Sequence, residues 1–485
     1  MRNIIKITVM ITMILFVSCD KELDQYSNLN SFEKVAFQKY SDYRFALDGV
    51  YDAMKLGGYF SGGDAGNQNI MADLTSDNLI QSPLGRLTNT RATLHEFGSD
   101  EGQTTALYSA AYFAISRANF ILENLRTNSS FLTSLQKTEI EAEARALRGI
   151  IHFDLVRAYS KIPTQSLDAN SSIGIVYVES TENIPYSRNL TVSQVYSKIL
   201  NDLEFAKTNI PAANATPAPF TKGRLNKAAI FGLLSRVYLH MGDNTSALLN
   251  AESCIALVTS VGSTANFPLV WNNTSQDGTL FEILNSDAER VTTGVSYNQI
   301  VASNIRSEFV VYKSVYDLYA LNDIRKSAYF QVSPYSSESF INVIKYNTRG
   351  SLPNVVNYKY LRNAEVYLNG AEAAYLSNPT RALSLLNTLR QQRYTGFVNG
   401  TETGTALFNA IQLQRRLELF GEADRWYTLK RLGLPLNRTT EGSFSNGNGS
   451  ATTSLTLVPS SFKWQWPIPK SAIDLNPGII QNSGY

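Results

Sequence analysis

The sequence predicts a mainly α protein: an array of tetratricopeptide-like helical hairpins with a loop-rich, partly β part set between them. Three observations predict it. Apolar residues recur at spacings of three and four through long segments, as in Ile140, Ala144, Leu147, Ile151, Leu155 and Ala158. A helix, a short polar turn and a second helix return at Asn226–Leu257 and again at Leu361–Arg393. Between these two units, Val258–Tyr360 loses the helical rhythm and carries alternating pieces such as Gly278–Leu284 and Phe340–Tyr346.

The chain opens with Arg2 and Lys6, an apolar stretch of eleven residues from Ile7 to Val17, then Ser18 and Cys19. Eleven are too few to span a bilayer, which takes roughly 20, and the pattern is that of a cleaved export signal. Cysteine directly after the small residue marks residues 1–18 as a lipoprotein signal peptide and Cys19 as the lipid attachment point. Two or more acyl chains, at about 0.8 kcal/mol per buried methylene, give stable anchoring. Residues 19–485 are expected to form one exported domain moored to a membrane surface.

Along that domain, Ser41–Met54 reads as a helix, followed by a glycine-rich loop over Gly57–Gly66. Tyr108–Leu125 and Glu139–Lys161 read as the first long pair, stopped by Pro163. The polar stretch to Asn189 reads as a surface loop, and Thr191 as the N-cap of a helix to Asn209. Tyr238, Gly242, Ala247 and Ala251 occupy the packing and turn positions of a hairpin, so helical hairpins cover about 41–257 and 361–433. A degenerate array of this kind buries its apolar faces only by stacking. Leu407–Leu432 reads as a last helix closed by Gly433. A low-complexity loop, Asn437–Ser461, leads into an extended tail, 462–485, in which Ser471 and Asp474 are a candidate capping pair for one turn before Pro477.

Composition narrows the function. Of 485 residues 44% are hydrophobic and the net charge is +2, which gives no field to attract nucleic acid. His95, His152 and His240 are too far apart in sequence for a metal-ligand spacing. Acylation of Cys19 leaves Cys254 alone, expected buried and inert, so no intramolecular disulfide forms. Asn273, Ser275, Asp277 and Gly278 imitate the start of a calcium loop, but Leu284 stands where the bidentate Glu belongs. The glycine run Gly57–Gly66 lacks the Lys-Ser or Lys-Thr pair of a phosphate loop, and no G-x-S-x-G occurs. No metal or cofactor is expected.

Five segments in order behind the lipid cysteine resemble the SusD/RagB family of outer-membrane nutrient-binding lipoproteins. They are EARALRGIIHFDLVRAYSKIP (Glu143–Pro163), NKAAIFGLLSRVYLHMGD (Asn226–Asp243), RNAEVYLNGAEAAYL (Arg362–Leu376), IQLQRRLELFGEADRWYTLKRLG (Ile411–Gly433) and the terminal WPIPKSAIDLNPGIIQNSGY. Asp20, Glu22 and Asp24 are similar to the acidic signals that route such lipoproteins to the cell surface. The resemblance implies four tetratricopeptide-like hairpins, a ligand site in the loop-rich part, and a partner, a SusC-like TonB-dependent outer-membrane transporter. The chain departs from well-known glycan binders after Ser76-Asp77-Asn78, because Leu79–Glu96 holds no aromatic residue.

A sugar offers apolar C–H faces to aromatic rings and hydroxyls to planar polar groups. The candidate contacts are therefore Tyr59 and Phe60 in the glycine loop, Arg86 and Asn89 after the Ser-Asp-Asn element, and Trp271, Tyr297 and Asn298 in the middle excursion. For each of them packing beneath a loop is the other reading. Glu365 and Glu372 sit seven residues apart on a helix, about 10.5 Å along its axis, beyond the roughly 5–9.5 Å carboxyl separations of glycosidases. They are expected to pair with Arg415, Arg416 or Arg425. The expected function is non-catalytic capture of an oligomeric nutrient, a glycan fragment first, for delivery to the transporter. A peptide or other non-sugar nutrient is the alternative, and a surface glycosidase a further one.

Overall fold

The structure is a computed structural model. It describes residues 36–485 except 56–57, 61–67, 183, 212–221, 290–291, 293, 296, 298, 302–303, 350–351 and 354. Cys19, Asn298 and most of the glycine-rich loop lie outside the described residues.

Two sets of packed helices form the frame. Helices α1 (Tyr40–Lys55), α3 (Gly102–Thr127), α4 (Ser134–Tyr159) and α5 (Val192–Asn209) lie side by side, with the short α2 (Gln68–Leu74) between α1 and α3 in sequence. Helices α6 (Lys227–Met241), α7 (Asn244–Leu257), α8 (Asn363–Ala374) and α9 (Pro379–Gln391) form the second set, each packed on the next. Local chemistry fixes their ends. Thr133 with Gln136 and Thr191 with Gln194 close reciprocal capping boxes on α4 and α5. Asn226, Asp243 and Asn378 cap α6, α7 and α9, and Gly242 ends α6 at φ +76°.

Helix α4 departs from the amphipathic reading, because from Ala142 to Tyr159 every residue but the half-buried Arg145 is buried. Its polar residues are tolerated because each is paired. Arg148 meets Asp202 of α5 at 2.7 and 2.8 Å, and Arg157 meets Asp154 at 2.5 Å. His152 stacks on Tyr177 at 3.8 Å with both ring nitrogens bonded to backbone. The stretch after Pro163, expected as a surface loop, tucks Ile175, Val176 and Tyr177 into the core.

The excursion between α7 and α8 holds the expected strands, and one strand from the segment after α2 joins them. Strands β1 (Leu79–Gln81), β3 (Phe309–Val311), β4 (Phe330–Tyr335) and β5 (Glu338–Val343) make one antiparallel sheet in the order β1-β3-β5-β4. Strand β2 (Thr279–Ile283) pairs with β6 (Tyr358–Arg362), which runs directly into α8.

The last predicted helix is two helices, α10 (Gly404–Glu418) and α11 (Arg425–Arg431), broken over 419–424. Long-range bonds take over the backbone there. Phe420 O accepts from Lys345 Nζ, Gly421 N donates to Asp73, and Gly421 O accepts from Tyr346 Oη. Glu418, fully buried just before the break, receives Arg325, Arg362 and Arg393. In the tail Lys470–Leu475 does form one turn, but Ser471 and Asp474 do not cap it, and Asp474 pairs instead with Lys470 at 2.6 Å. The terminal segment packs Trp464 and Trp466 into the core.

Candidate functional site

The Ser-Asp-Asn element is a clamp that aims the chain out of α2 into the loop-rich part. Ser76 Oγ donates to Asp73 O, and Asn78 Nδ2 to the Asp73 carboxylate at 2.7 Å. Asp77 takes a two-pronged bond from Arg425 at 2.7 Å and lies 3.3 Å from Arg416. Burial opposes ionisation, yet the Arg416 and Arg425 guanidinium groups hold its carboxyl down to about 2.

Strand β1 follows, and residues 82–88 then fold over Glu308. That carboxylate accepts from the backbone N–H of Arg86 at 2.5 Å and of Thr88 at 2.7 Å, with the Arg86 guanidinium at 3.6 Å. Gly85 permits the approach, since a Cβ there would lie 2.9 Å from the Glu308 Cα. Leu87 is held at φ +59°, and Leu84 and Leu87 point into solvent.

A cavity of about 220 Å³ opens behind this loop, between β1, the turn at Thr90–Leu94, Tyr312 and residues 450–453. Hydroxyl and amide side chains of Gln81, Thr90, Thr93, Thr452 and Thr453 line it together with apolar Leu79, Ile80, Leu94 and Ala451. Arg438 forms its back wall. The buried guanidinium donates to the carbonyls of Leu74, Ser76, Thr93 and Ser454 at 3.0, 2.8, 2.5 and 3.1 Å, tying three stretches of chain together without a carboxylate. Burial accordingly lowers its pKa. His95 braces the same wall, bonded to Thr75 O and Ser454 Oγ and stacked on Trp426, and burial pushes it down to about 3, so it is neutral. The Tyr312 hydroxyl has no hydrogen-bond partner among the described residues, and burial pushes it up to about 12.

Of the residues singled out from the sequence, only Arg86 and Asn89 border this region. Arg86 is half-buried, and Asn89 is buried beneath the loop. Tyr59, Phe60, Trp271 and Tyr297 are core residues, which corrects the expectation that they face a ligand. Tyr59 donates to Asp154 at 2.7 Å, and Phe60 stacks between Tyr59 and Tyr358 at 4.6 and 4.3 Å. Trp271 packs edge-on to Tyr329 and Tyr346, and Tyr297 lies against Tyr346. Sequence reasoning missed Tyr312 and Arg438, which carry no motif of their own.

The two suspected carboxylates are neutralised by arginine. Glu372 binds Arg431 at 2.6 and 2.7 Å with Arg415 at 3.4 Å, as expected in kind. Glu365 pairs with Arg236 instead of the three arginines named for it, at 2.6 Å to each oxygen. Arg416 and Arg425 are engaged by Asp77. Asp277 is saturated by Ser260, Ser263 and Asn266 within a turn. Cys254 is buried, and its thiol is pushed up to about 12. Among the described residues no group of His, Cys, Asp and Glu is placed to hold a metal, and no helix is long and apolar enough to cross a membrane.

Comparison with known proteins agrees with this architecture. A family model described as starch-binding, associating with outer membrane, matches residues 30–239, and the SusD family model matches residues 290–485. SusD-like protein P2 of Formosa agariphila is 23% identical over 485 residues, covering 88% of this chain and 90% of its own. A crystal structure from Bacteroides vulgatus superimposes with a TM-score of 0.79 at 26% identity, covering 93% of this chain and 99% of that one. A SusD-like carbohydrate binding protein from the same organism gives 0.78 at 20% identity, with 91% and 98% covered. With both halves matched by models of one family and the fold shared along nearly its whole length, the chain belongs to the SusD/RagB family.

Proposed function

We propose that the protein is a non-catalytic, surface-exposed lipoprotein that binds a glycan fragment at the cavity behind residues 82–94 and delivers it to a SusC-like TonB-dependent transporter. The observation that carries this reading is the cavity itself, a pre-shaped recess in which threonine and glutamine side chains stand beside apolar ones, the mixed lining a saccharide needs. The family and the carbohydrate-binding relative support the ligand class. The Arg-bound state of Glu365 and Glu372 supports a binding role, because neither is placed as a free acid or base. Acylation at Cys19 would hold the body at the outer face of the outer membrane. Isothermal titration against a polysaccharide panel, with co-purification of the transporter, tests the proposal. Absence of any glycan ligand and of the transporter would defeat it. Mass spectrometry of the mature N-terminus tests the anchor, and an unacylated terminus removes it.

Peptide capture is the second reading. It is favoured by the missing aromatic in 79–96 and by the exposed Leu84 and Leu87 on the loop that borders the cavity. Binding of oligopeptides but of no saccharide would select it.

A further inference from the structure

A second cleft, of about 420 Å³, lies between α3, residues 176–182 with Tyr186, and the helical turn at Lys470–Leu475. Its walls are fixed in advance. Tyr112, Asn119 and Glu123 project from one side of α3 and pin the segment along its length. Tyr112 Oη donates to Val176 O at 2.8 Å and Asn119 Nδ2 to Val178 O at 2.9 Å, and Glu123 accepts from Thr181 N at 2.8 Å and Ser180 Oγ at 2.9 Å. The tail is fastened on the other side by Lys470 N to Ser99 O at 2.8 Å and Arg188 N to Gly478 O at 2.9 Å. Asn476 Oδ1 accepts from Tyr186 N at 3.3 Å.

The lining divides into two chemical parts. Tyr108, Tyr112 and Tyr186, with Val176 and Val178, make an aromatic and apolar floor. The Tyr112 and Tyr186 hydroxyls are already committed to the carbonyls of Val176 and Ser180, so these residues offer ring surface to a guest. Around the floor stand Ser109, Ser116, Ser471 and Glu182, all exposed, whose side chains make no hydrogen bond or ion pair among the described residues. Among the described residues no Lys or Arg lines the cleft, and Glu182 is the one carboxylate lining it. A ligand with negative charge is therefore disfavoured, and a purely apolar one leaves the rim unused.

We propose that this cleft is a second ligand site, for one or two units of a neutral saccharide. Sugar C–H faces would pack on the tyrosines, and sugar hydroxyls would bond to the three serines and Glu182. This site is separate from the cavity at β1, and either can fail without the other.

Hydrogen–deuterium exchange on the full chain, with laminarin and malto-, cello- and galacto-oligosaccharides at millimolar concentration, reads both sites at once. A neutral saccharide is expected to slow exchange across 176–186 and 471–480. Ser116→Trp, which fills the cleft from an exposed helix position, is expected to weaken that protection at least tenfold with an unchanged melting temperature. Ser109→Trp serves if the first variant folds poorly. Protection confined to 79–94 overturns the second site and leaves the reading of the β1 cavity standing. Protection at 176–186 that survives both tryptophan variants, or that only anionic sugars produce, also overturns it. Protection at 176–186 alone supports the second site and counts against the β1 cavity.

Discussion

The backbone N–H of Gly421 donates to the carboxylate of Asp73 at 3.0 Å, fastening the break between α10 and α11 to the end of α2, 348 residues away in sequence. The same Asp73 holds Asn78, and so the strand that leads to the candidate cavity. The break in the helix is thus part of the scaffold that positions the site.

Gly421 has φ +74°, and an added Cβ would meet only ordinary contacts at 3.6–3.7 Å. Gly421→Ala is therefore expected to cost about 1–2 kcal/mol through backbone strain alone. A lowered melting temperature checks this, and an unchanged one would show that the turn relaxes freely.

Glu372 is buried between Arg431 and Arg415. Glu372→Ala leaves the buried Arg431 guanidinium without its carboxylate, while Arg415 keeps Asp424 at 3.2 Å, and the expected destabilisation is about 3–5 kcal/mol. Ligand affinity of the folded fraction should be unchanged. Lost binding at unchanged stability would contradict a structural role.

Burial raises, but paired arginines more than offset, the carboxyl pKa values of Asp77 and Glu372, which stand at about 2 in the fold against 3.8 and 4.5 ordinarily. Unfolding therefore takes up protons in acid. The contribution of these two carboxylates to stability is full above about pH 4.5 and is lost as pH drops toward 2, on the order of 2–3 kcal/mol for each group. Urea midpoints measured from pH 6 to 2.5 should follow this slope, and Asp77→Asn should flatten it.

Arg438 supplies donors to three buried carbonyls and to the half-buried one of Ser454 around the cavity. Arg438→Met should cost more than about 3 kcal/mol, since each stranded carbonyl costs about 1–3 kcal/mol. Amide exchange at 74–76 and 450–454 should accelerate, and ligand affinity should fall. Arg438→Lys, with three donors on one ammonium, should recover part of the loss.

Gly85→Ala tests the loop itself. The new Cβ would press on the Glu308 Cα at 2.9 Å and the Ser307 carbonyl at 3.0 Å. Displacement of residues 82–88 is expected to change ligand affinity more than melting temperature. Titration beside calorimetry separates the two.

Helices, caps and hairpins were legible in the sequence because they depend on neighbours three or four residues apart. Thr191 caps α5, Gly242 closes α6, and α6/α7 and α8/α9 fall within a few residues of the expected bounds. The candidate site was far less legible. Tyr59, Phe60, Trp271 and Tyr297 sit in or beside loop-like sequence, and an aromatic ring in such a setting packs inward or outward according to what lies above it.

The sequence by itself determined the family, the stacked-hairpin frame and the helix ends, all encoded in local spacing. Tertiary structure alone decided that Glu365 finds Arg236, 129 residues away, that α10 and α11 part at Gly421, and that Arg438 walls a cavity. The physical reason is that a buried charge or an unpaired carbonyl must be satisfied by whichever group packing brings within about 3 Å. No pattern along the chain records which group that will be.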